Sequence, residues 1–301
     1  MWPLLSVWFG VLGAAAAPTA VVLGIAQDGG VPHAGCRQEL CVSARRDPSL
    51  RKRVASLGLI DPAANRRFLV DATPDFADQM ERLGGLPDGI LLTHAHVGHF
   101  LGLAQLGREV LDAKKVPVYA TARMARFLRE NRPWSRLVAM GNVEIREIEP
   151  DREFALTPLL SATAIRVPHR DADSETDTVA FLMRGPGRKV LWLPDIDRWD
   201  RWDRRLSDFL ADPETVVFVD GTFFSADEIS GRSLADIPHP LVPDTMTSLA
   251  SLGSARGRVF FIHLNHTNRL LWDEAAVREI EAKGFAVARE GQTVPFAAAS
   301  P

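Results

Sequence analysis

From residue 20 the chain alternates short apolar runs rich in β-branched residues with stretches whose apolar positions recur at helical spacing. "AVVLGIA" (20–26) reads as a strand, and "QDGG" (27–30) as a turn in which glycine lets backbone approach a neighbour. "SARRDPSLRKRVASLG" (43–58) is polar and predicts a surface helix or excursion. "RFLVDATPD" (67–75) predicts a strand, then a turn, then the helix "DFADQMERLG". "DGILLTHAHVGHFLGLAQLGREVL" (88–111) predicts a strand, a loop and a helix. "VPVYA" (116–120) is a strand, and "TARMARFLREN" (121–131) is a helix that opens on a Thr cap. Further strands follow in "VEIREI", "SATAIRVPH", "TVAFLMRG", "KVLWLPD", "TVVFVDG" and "RVFFIHL", with helices over 199–210, 244–252 and 273–283. Strands outnumber helices but alternate with them in both halves. That pattern predicts an α/β fold in which two sheets touch and helices cover each outer face. No repeat of solenoid length is present.

The first 19 residues, "MWPLLSVWFGVLGAAAAPT", break the pattern. They are apolar and end in small residues around Ala15 to Ala17, which predicts a signal peptide over 1–17 and one domain over 18–301. No Lys or Arg precedes the apolar stretch, so a buried first strand or an uncleaved anchor is the competing reading. The signal reading predicts a periplasmic or secreted protein; without it the chain would be cytoplasmic. No later stretch reaches the roughly 20 apolar residues of a membrane span.

Composition excludes little beyond that. The 301 residues are 46% hydrophobic and 24% charged, ordinary for a globular protein with a substantial core. Net charge is −3 and the arginines are scattered, which argues against a nucleic-acid groove and for a small-molecule substrate. The only two cysteines, Cys36 and Cys41, would pair in an exported protein or serve as two metal thiolates, and a structural zinc site wants four ligands.

The chemistry lies in the histidines. There are eight: His33, His94, His96, His99, His169, His239, His263 and His266. Most follow an apolar run within a residue or two, as in "ILLTHAH", "AIRVPH" and "VFFIH"; Asp195 in "VLWLPD" and Asp71 in "FLVD" do the same. Loops beyond strand C-terminal ends gather functional groups in layered α/β folds. A lone strand-end histidine such as His33 or His266 is usually structural. Three in six positions, His94, His96 and His99, with more at later strand ends, would leave many buried nitrogens without partners unless a metal took them. In extended chain, His94 and His96 point the same way and can hold one ion, while His99 can face a second.

"THAHVGH" (93–99) resembles the HxHxDH signature of the metallo-β-lactamase superfamily, a four-layer αββα sandwich of metal-dependent hydrolases. The landmarks Asp71, His169, Asp195 and His263 follow in that family's order. "LPDIDRWDRWD", "VDGTFF", "FIHLNHTN" and "QDGGVPHAGC" are most similar to the branch of the coenzyme pyrroloquinoline quinone synthesis protein B. The resemblance implies His94, His96 and His169 on a first metal, His99 and His263 on a second, and Asp195 bridging them as a catalytic and metal-binding carboxylate. It places His266 behind the ligands. It also implies a catalytic role for His239 in "DIPHPLVPDTM", like the histidine that stabilises the phosphodiester transition state in the transfer-RNA 3′-processing branch.

One position departs from the signature. Gly98 stands where the family has an aspartate that binds the second metal and orients the attacking water. His99, His263 and Asp195 would remain, which is still a catalytic zinc shell; alternatively only the first site fills. Asp28, in the turn after the first strand, is either a replacement carboxylate or a turn residue bonded to its own backbone. The leading functional expectation is a hydrolase with one or two divalent ions, zinc before iron or manganese, that attacks an ester, amide or phosphodiester of a small substrate. The alternative is a non-hydrolytic, oxidative or cofactor-handling protein of the quinone-synthesis type; a metal-free relative of the fold is the third. Trp199 and Trp202 read as helix packing, not as a substrate platform.

Overall fold

The computed structural model describes residues 17–169, 176–228 and 239–298. The proposed signal peptide therefore lies outside the described residues, apart from Ala17. Fourteen strands are described. In chain order they are β1 (Thr19–Gly24), β2 (Ser56–Asp61), β3 (Arg66–Val70), β4 (Gly89–Leu91), β5 (Val116–Thr121), β6 (Val143–Ile148) and β7 (Glu153–Ala155). The second half adds β8 (Ser161–Arg166), β9 (Val179–Arg184), β10 (Lys189–Leu193), β11 (Thr215–Asp220), β12 (Val259–Ile262), β13 (Ala286–Val287) and β14 (Thr293–Pro295). They form two seven-stranded mixed sheets, β14-β1-β2-β3-β4-β5-β6 and β13-β12-β11-β10-β9-β8-β7. Among the described residues no helix is long and apolar enough to cross a membrane.

The central strands read as continuous apolar runs because both of their faces are buried. In β10, Val190 and Trp192 enter the core between the sheets, while Leu191 and Leu193 enter the layer under the outer helices. In β3, Phe68 and Val70 face the other sheet and Leu69 faces outward. The helices Phe76–Leu83, Ala122–Glu130 and Trp134–Ala139 close the first outer layer. Leu206–Leu210, Val242–Ser248 and Glu274–Ala282 close the second. The result is the four-layer αββα sandwich anticipated above. The Thr121 cap forms as expected, with Oγ1 accepting from Met124 N at 3.3 Å.

Strand direction decides where the loops go. β3 to β6 are parallel, and β1 runs the same way because it is antiparallel to β2, which is antiparallel to β3. In the other sheet β10 to β13 are parallel, and β8 joins them through two antiparallel steps. The C-terminal ends of β1, β3 and β4 thus share one edge of their sheet, as do those of β8, β10, β11 and β12.

Several expected elements differ. The helix foreseen after the histidine triple is a single turn, Val97–Phe100, followed by a 3₁₀ stretch, Leu101–Leu106. Gly102 N donates to Ala72 O at 2.8 Å, beyond β3, which draws the chain out of regular helical bonding. The helix foreseen over 199–210 is split, because Trp202 turns inward and donates to Arg166 O at 2.7 Å. Trp199 donates to Thr245 Oγ1 at 2.8 Å, so both tryptophans are packing residues. Over 43–58 the helix begins earlier (Glu39–Arg46), and β2 occupies the end. Ser56 and Gly58 interrupt its apolar run, which hid that strand.

Trp192 is fully buried between the sheets. Trp192→Ala is expected to lower the unfolding free energy by about 3–5 kcal/mol, read from the denaturant midpoint. Val97→Ala, at a 58%-exposed position, should stay within about 0.5 kcal/mol of the parent.

Candidate metal centre

Each donor reaches the site from a strand end. Asp28 comes from the turn after β1, Asp71 follows β3 directly, and His94, His96 and His99 follow β4. His169 lies beyond β8, Asp195 beyond β10, Asp220 ends β11, and His263 follows β12 directly. Asp71 and His263 both take left-handed backbone, with φ of 67° and 62°. Non-glycine residues adopt that conformation at a cost of about 1–3 kcal/mol and tend to cluster at functional sites.

The side chains form one continuous cluster. Four overlapping triads have donor atoms all within 4.8 Å of one another: His94–His96–His169, His94–His99–Asp195, Asp28–His99–His263 and Asp195–His239–His263. His169 Nε2 lies 3.3 Å from His96 Nδ1 and 3.7 Å from Asp195 Oδ1. On the other side of Asp195, Oδ2 is 3.3 Å from His99 Nε2 and 3.5 Å from His263 Nε2, and those two nitrogens are 3.3 Å apart. Around zinc bonded at about 2.0–2.1 Å, neighbouring tetrahedral donors sit about 3.3–3.4 Å apart. Most of the observed spacings match that edge length.

Hydrogen bonds on the far nitrogens select which atom each ring offers. His94 Nδ1 meets Thr93 Oγ1 at 3.0 Å, His99 Nδ1 meets Asp71 Oδ2 at 2.8 Å, and His263 Nδ1 meets Thr222 Oγ1 at 3.0 Å. His169 Nδ1 lies 3.1 Å from Asp197 Oδ1, an ion-pair contact without hydrogen-bond geometry. Each contact leaves Nε2 for the cluster, the arrangement by which outer groups orient metal-binding imidazoles. The inward atoms His94 Nε2, Asp195 Oδ2 and Asp28 Oδ1 are buried and make no hydrogen bond. Buried polar atoms are rarely left so. Divalent cations within the His94–His99–Asp195 and Asp28–His99–His263 groups would satisfy them, so the residues fit a metal centre.

Electrostatics point the same way. Burial, reinforced by neighbouring imidazoles, holds His94 well below the usual histidine range and lowers His96; burial also lowers His263, against the pull of Asp195. Neutral imidazole is the ligand form. His99 is the exception: burial disfavours its charge, but the carboxylates of Asp71, Asp195 and Asp28 together push it well above the ordinary value. For Asp195 burial acts upward, yet the surrounding histidines leave it below the usual carboxylate range. Those three carboxylates around one imidazole supply the negative charge that a metal cation would neutralise.

His239 stands at the rim. Its Nδ1 is 2.6 Å from Asp220 Oδ2 and 3.2 Å from Thr222 Oγ1, and its ring lies 5.4 Å from that of His169. Burial acts against its charge, but Asp220 outweighs it and raises the pKa. His266, expected behind the ligands, instead stacks on His33 with ring centroids 4.2 Å apart. Cys36 and Cys41 are free thiols. Thr93, Thr222, Asp197 and Asp220 join the site only through the fold, and Asp71, a landmark in the sequence, contacts His99. The signal was present for the two aspartates that end apolar runs, "FLVD" and "VFVD".

Asp71→Asn keeps the shape of the side chain but not the charge behind His99. Zinc affinity, measured by competition with a chromophoric chelator, is expected to fall about 10–100-fold while circular dichroism stays that of the parent. Unchanged affinity would remove Asp71 from the metal centre.

Known proteins share this chain's fold and, in one case, bind zinc. Coenzyme PQQ synthesis protein B of Methylobacterium sp. (strain 4-46) is 28% identical over 307 residues, spanning 91% of this chain and 99% of that protein. The zinc-bound crystal structure of PqqB from Methylobacterium extorquens superposes with a TM-score of 0.75 at 25% identity, covering 92% of this chain and 99% of that one. A diphosphatase from the PhnP family shares the fold, with a TM-score of 0.66 at 23% identity, over 92% of this chain and 96% of that one. The beta-lactamase superfamily domain matches residues 66–264, a range that holds every histidine of the cluster and begins after Asp28. The chain belongs to the beta-lactamase superfamily, in its metallo-β-lactamase fold.

Proposed function

We propose that this protein is a metal-dependent hydrolase of small phosphodiesters. The observation that carries the reading is the unbroken run of donors from His94, His96 and His169 through Asp195 to His99 and His263, with the His239–Asp220 pair at its rim. A divalent metal, for which we propose zinc, would be held by these six residues; when bound it polarises a substrate oxygen and lowers the pKa of water toward roughly 7. The zinc bound by PqqB of Methylobacterium extorquens supports the choice of ion.

The chain's own residues do the rest. Asp71 and Thr222 keep His99 and His263 in one orientation, so the donors need not rearrange on binding. Asp220 holds a proton on His239 Nδ1, which leaves Nε2 for substrate, and its carboxylate is fixed by Ile196 N at 3.0 Å and Thr222 N at 2.9 Å. Protonated on both nitrogens, an imidazole in that place would favour an anionic phosphoryl group over a neutral amide. It also supplies a proton to the departing alkoxide. His96 is half-buried whereas the side chains of His94, His99, His169 and His263 are buried, so substrate would approach from the His96 side.

Two measurements test this. Zinc-loaded protein is expected to hydrolyse bis(p-nitrophenyl) phosphate, to lose that activity on chelation and to regain it with zinc; failure across phosphodiester, ester and amide substrates would sink the reading. His239→Ala is expected to lower kcat about 10²–10⁴-fold for a diester with an alkoxide leaving group. It should cost far less for p-nitrophenolate, which departs without a proton. Equal losses on both substrates would deny His239 the role of acid.

The likeness to coenzyme PQQ synthesis protein B supports a second reading, a non-hydrolytic metal-dependent step in cofactor maturation. Iron in the isolated protein, with oxygen consumed and no hydrolysis, would favour it.

A further inference from the structure

The donor set explains a glycine. Gly98 lies in the turn Val97–Phe100 and does not have the positive φ that only glycine adopts freely. Its conformation therefore does not require glycine. Its surroundings do. A Cβ placed on Gly98 would stand 2.0 Å from Asp28 Oδ1, 2.9 Å from Asp28 Cγ and 2.6 Å from Asp28 Cα. The last is backbone, so no rotamer change at Asp28 relieves it. Asp28 fills the volume into which a side chain at position 98 would grow.

Asp28 is held there by its backbone. Gln27 N donates to Leu264 O at 2.9 Å and Leu264 N to Ile25 O at 2.8 Å, which ties the turn to the residue after His263. Gly30 N closes the turn on Gln27 O at 2.7 Å. The carboxylate takes no part in that turn: Oδ1 is buried, makes no hydrogen bond and faces His99 Nε2 at 3.4 Å. A turn-stabilising aspartate would bond its own backbone. This one points its oxygen at His99 Nε2, and one donor atom each from Asp28, His99 and His263 lie within 4.8 Å of one another.

We propose that Asp28 is a transposed metal ligand, which supplies from the β1 turn the carboxylate that the motif lacks at position 98 and completes a second site with His99, His263 and Asp195. The inference rests on the metal-centre reading above. It makes the protein dinuclear despite its glycine, and makes Gly98 and Asp28 an interdependent pair: one must be absent for the other to be present.

The test is zinc stoichiometry and stepwise affinity by equilibrium dialysis on the full chain, for wild type, Asp28→Asn and Gly98→Asp. Metal-free melting temperatures are measured beside them. Wild type should hold two zinc ions. Asp28→Asn preserves the turn, whose bonds use only backbone, so it should melt with the parent yet bind the second zinc about 100-fold more weakly or worse, since loss of an outer partner alone costs about 10–100-fold. Gly98→Asp should melt lower and also lose the second ion, because its side chain collides with Asp28. Two zinc ions of unchanged affinity in Asp28→Asn would overturn the proposal while leaving the metal centre intact. So would an undisturbed, fully loaded Gly98→Asp. A wild type that binds no zinc would instead bring down the metal-centre reading itself.

Discussion

The buried contact between Asp71 and His99 is the constraint on which the site depends. Both side chains are fully buried, and Asp71 also accepts from Thr93 N at 2.8 Å and from Thr93 Oγ1 at 3.0 Å. A buried charge is tolerable only when its partners are already in place. Those partners set the ends of β3 and β4 in one register, since Asp71 N in turn donates to Leu91 O at 2.8 Å. His99 is thereby aimed at Asp195 on the other sheet, and Asp195 links it to His94, His169 and His263. The left-handed backbone of Asp71 and His263 is an outlay the surrounding bonds sustain.

The two sheets matter because neither holds the chemistry alone. The first carries Asp28, Asp71 and the histidine triple; the second carries His169, Asp195, Asp220, His239 and His263. The apolar layer between them, with Trp192, Phe181 and Phe218 at its centre, brings the two edges together. The polar groups could not assemble themselves, since dehydrating so many imidazoles and carboxylates is unfavourable without that apolar burial. Stability of the sandwich and geometry of the site are thus one property measured at two places.

Much of this was legible in the chain. Apolar runs marked the central strands because both faces of each are buried, and they ended where His94, Asp195 and His263 sit. Short or interrupted elements were not legible: β2 is broken by Ser56 and Gly58, and β7, β13 and β14 span only two or three residues. The stretches after the histidine triple and around Trp199 carry helical spacing yet break, because a backbone bond from Gly102 to Ala72 and an indole bond from Trp202 to Arg166 override local preference. Thr93 and Thr222 were invisible as ligand-orienting groups, since a threonine beside a histidine is common and only its partner reveals its use.

By itself the sequence determined the layered architecture and the chemical type of each donor, because periodicity and residue identity are local properties of the chain. It also exposed the anomaly at Gly98 without being able to say whether it was a loss. The tertiary structure supplies the steric reason for the glycine, by returning the β1 turn to the space beside Gly98 and fixing it there through Leu264. Which carboxylate occupies a volume depends on contacts between residues 28, 98 and 264, and separations of that size leave no periodicity to read.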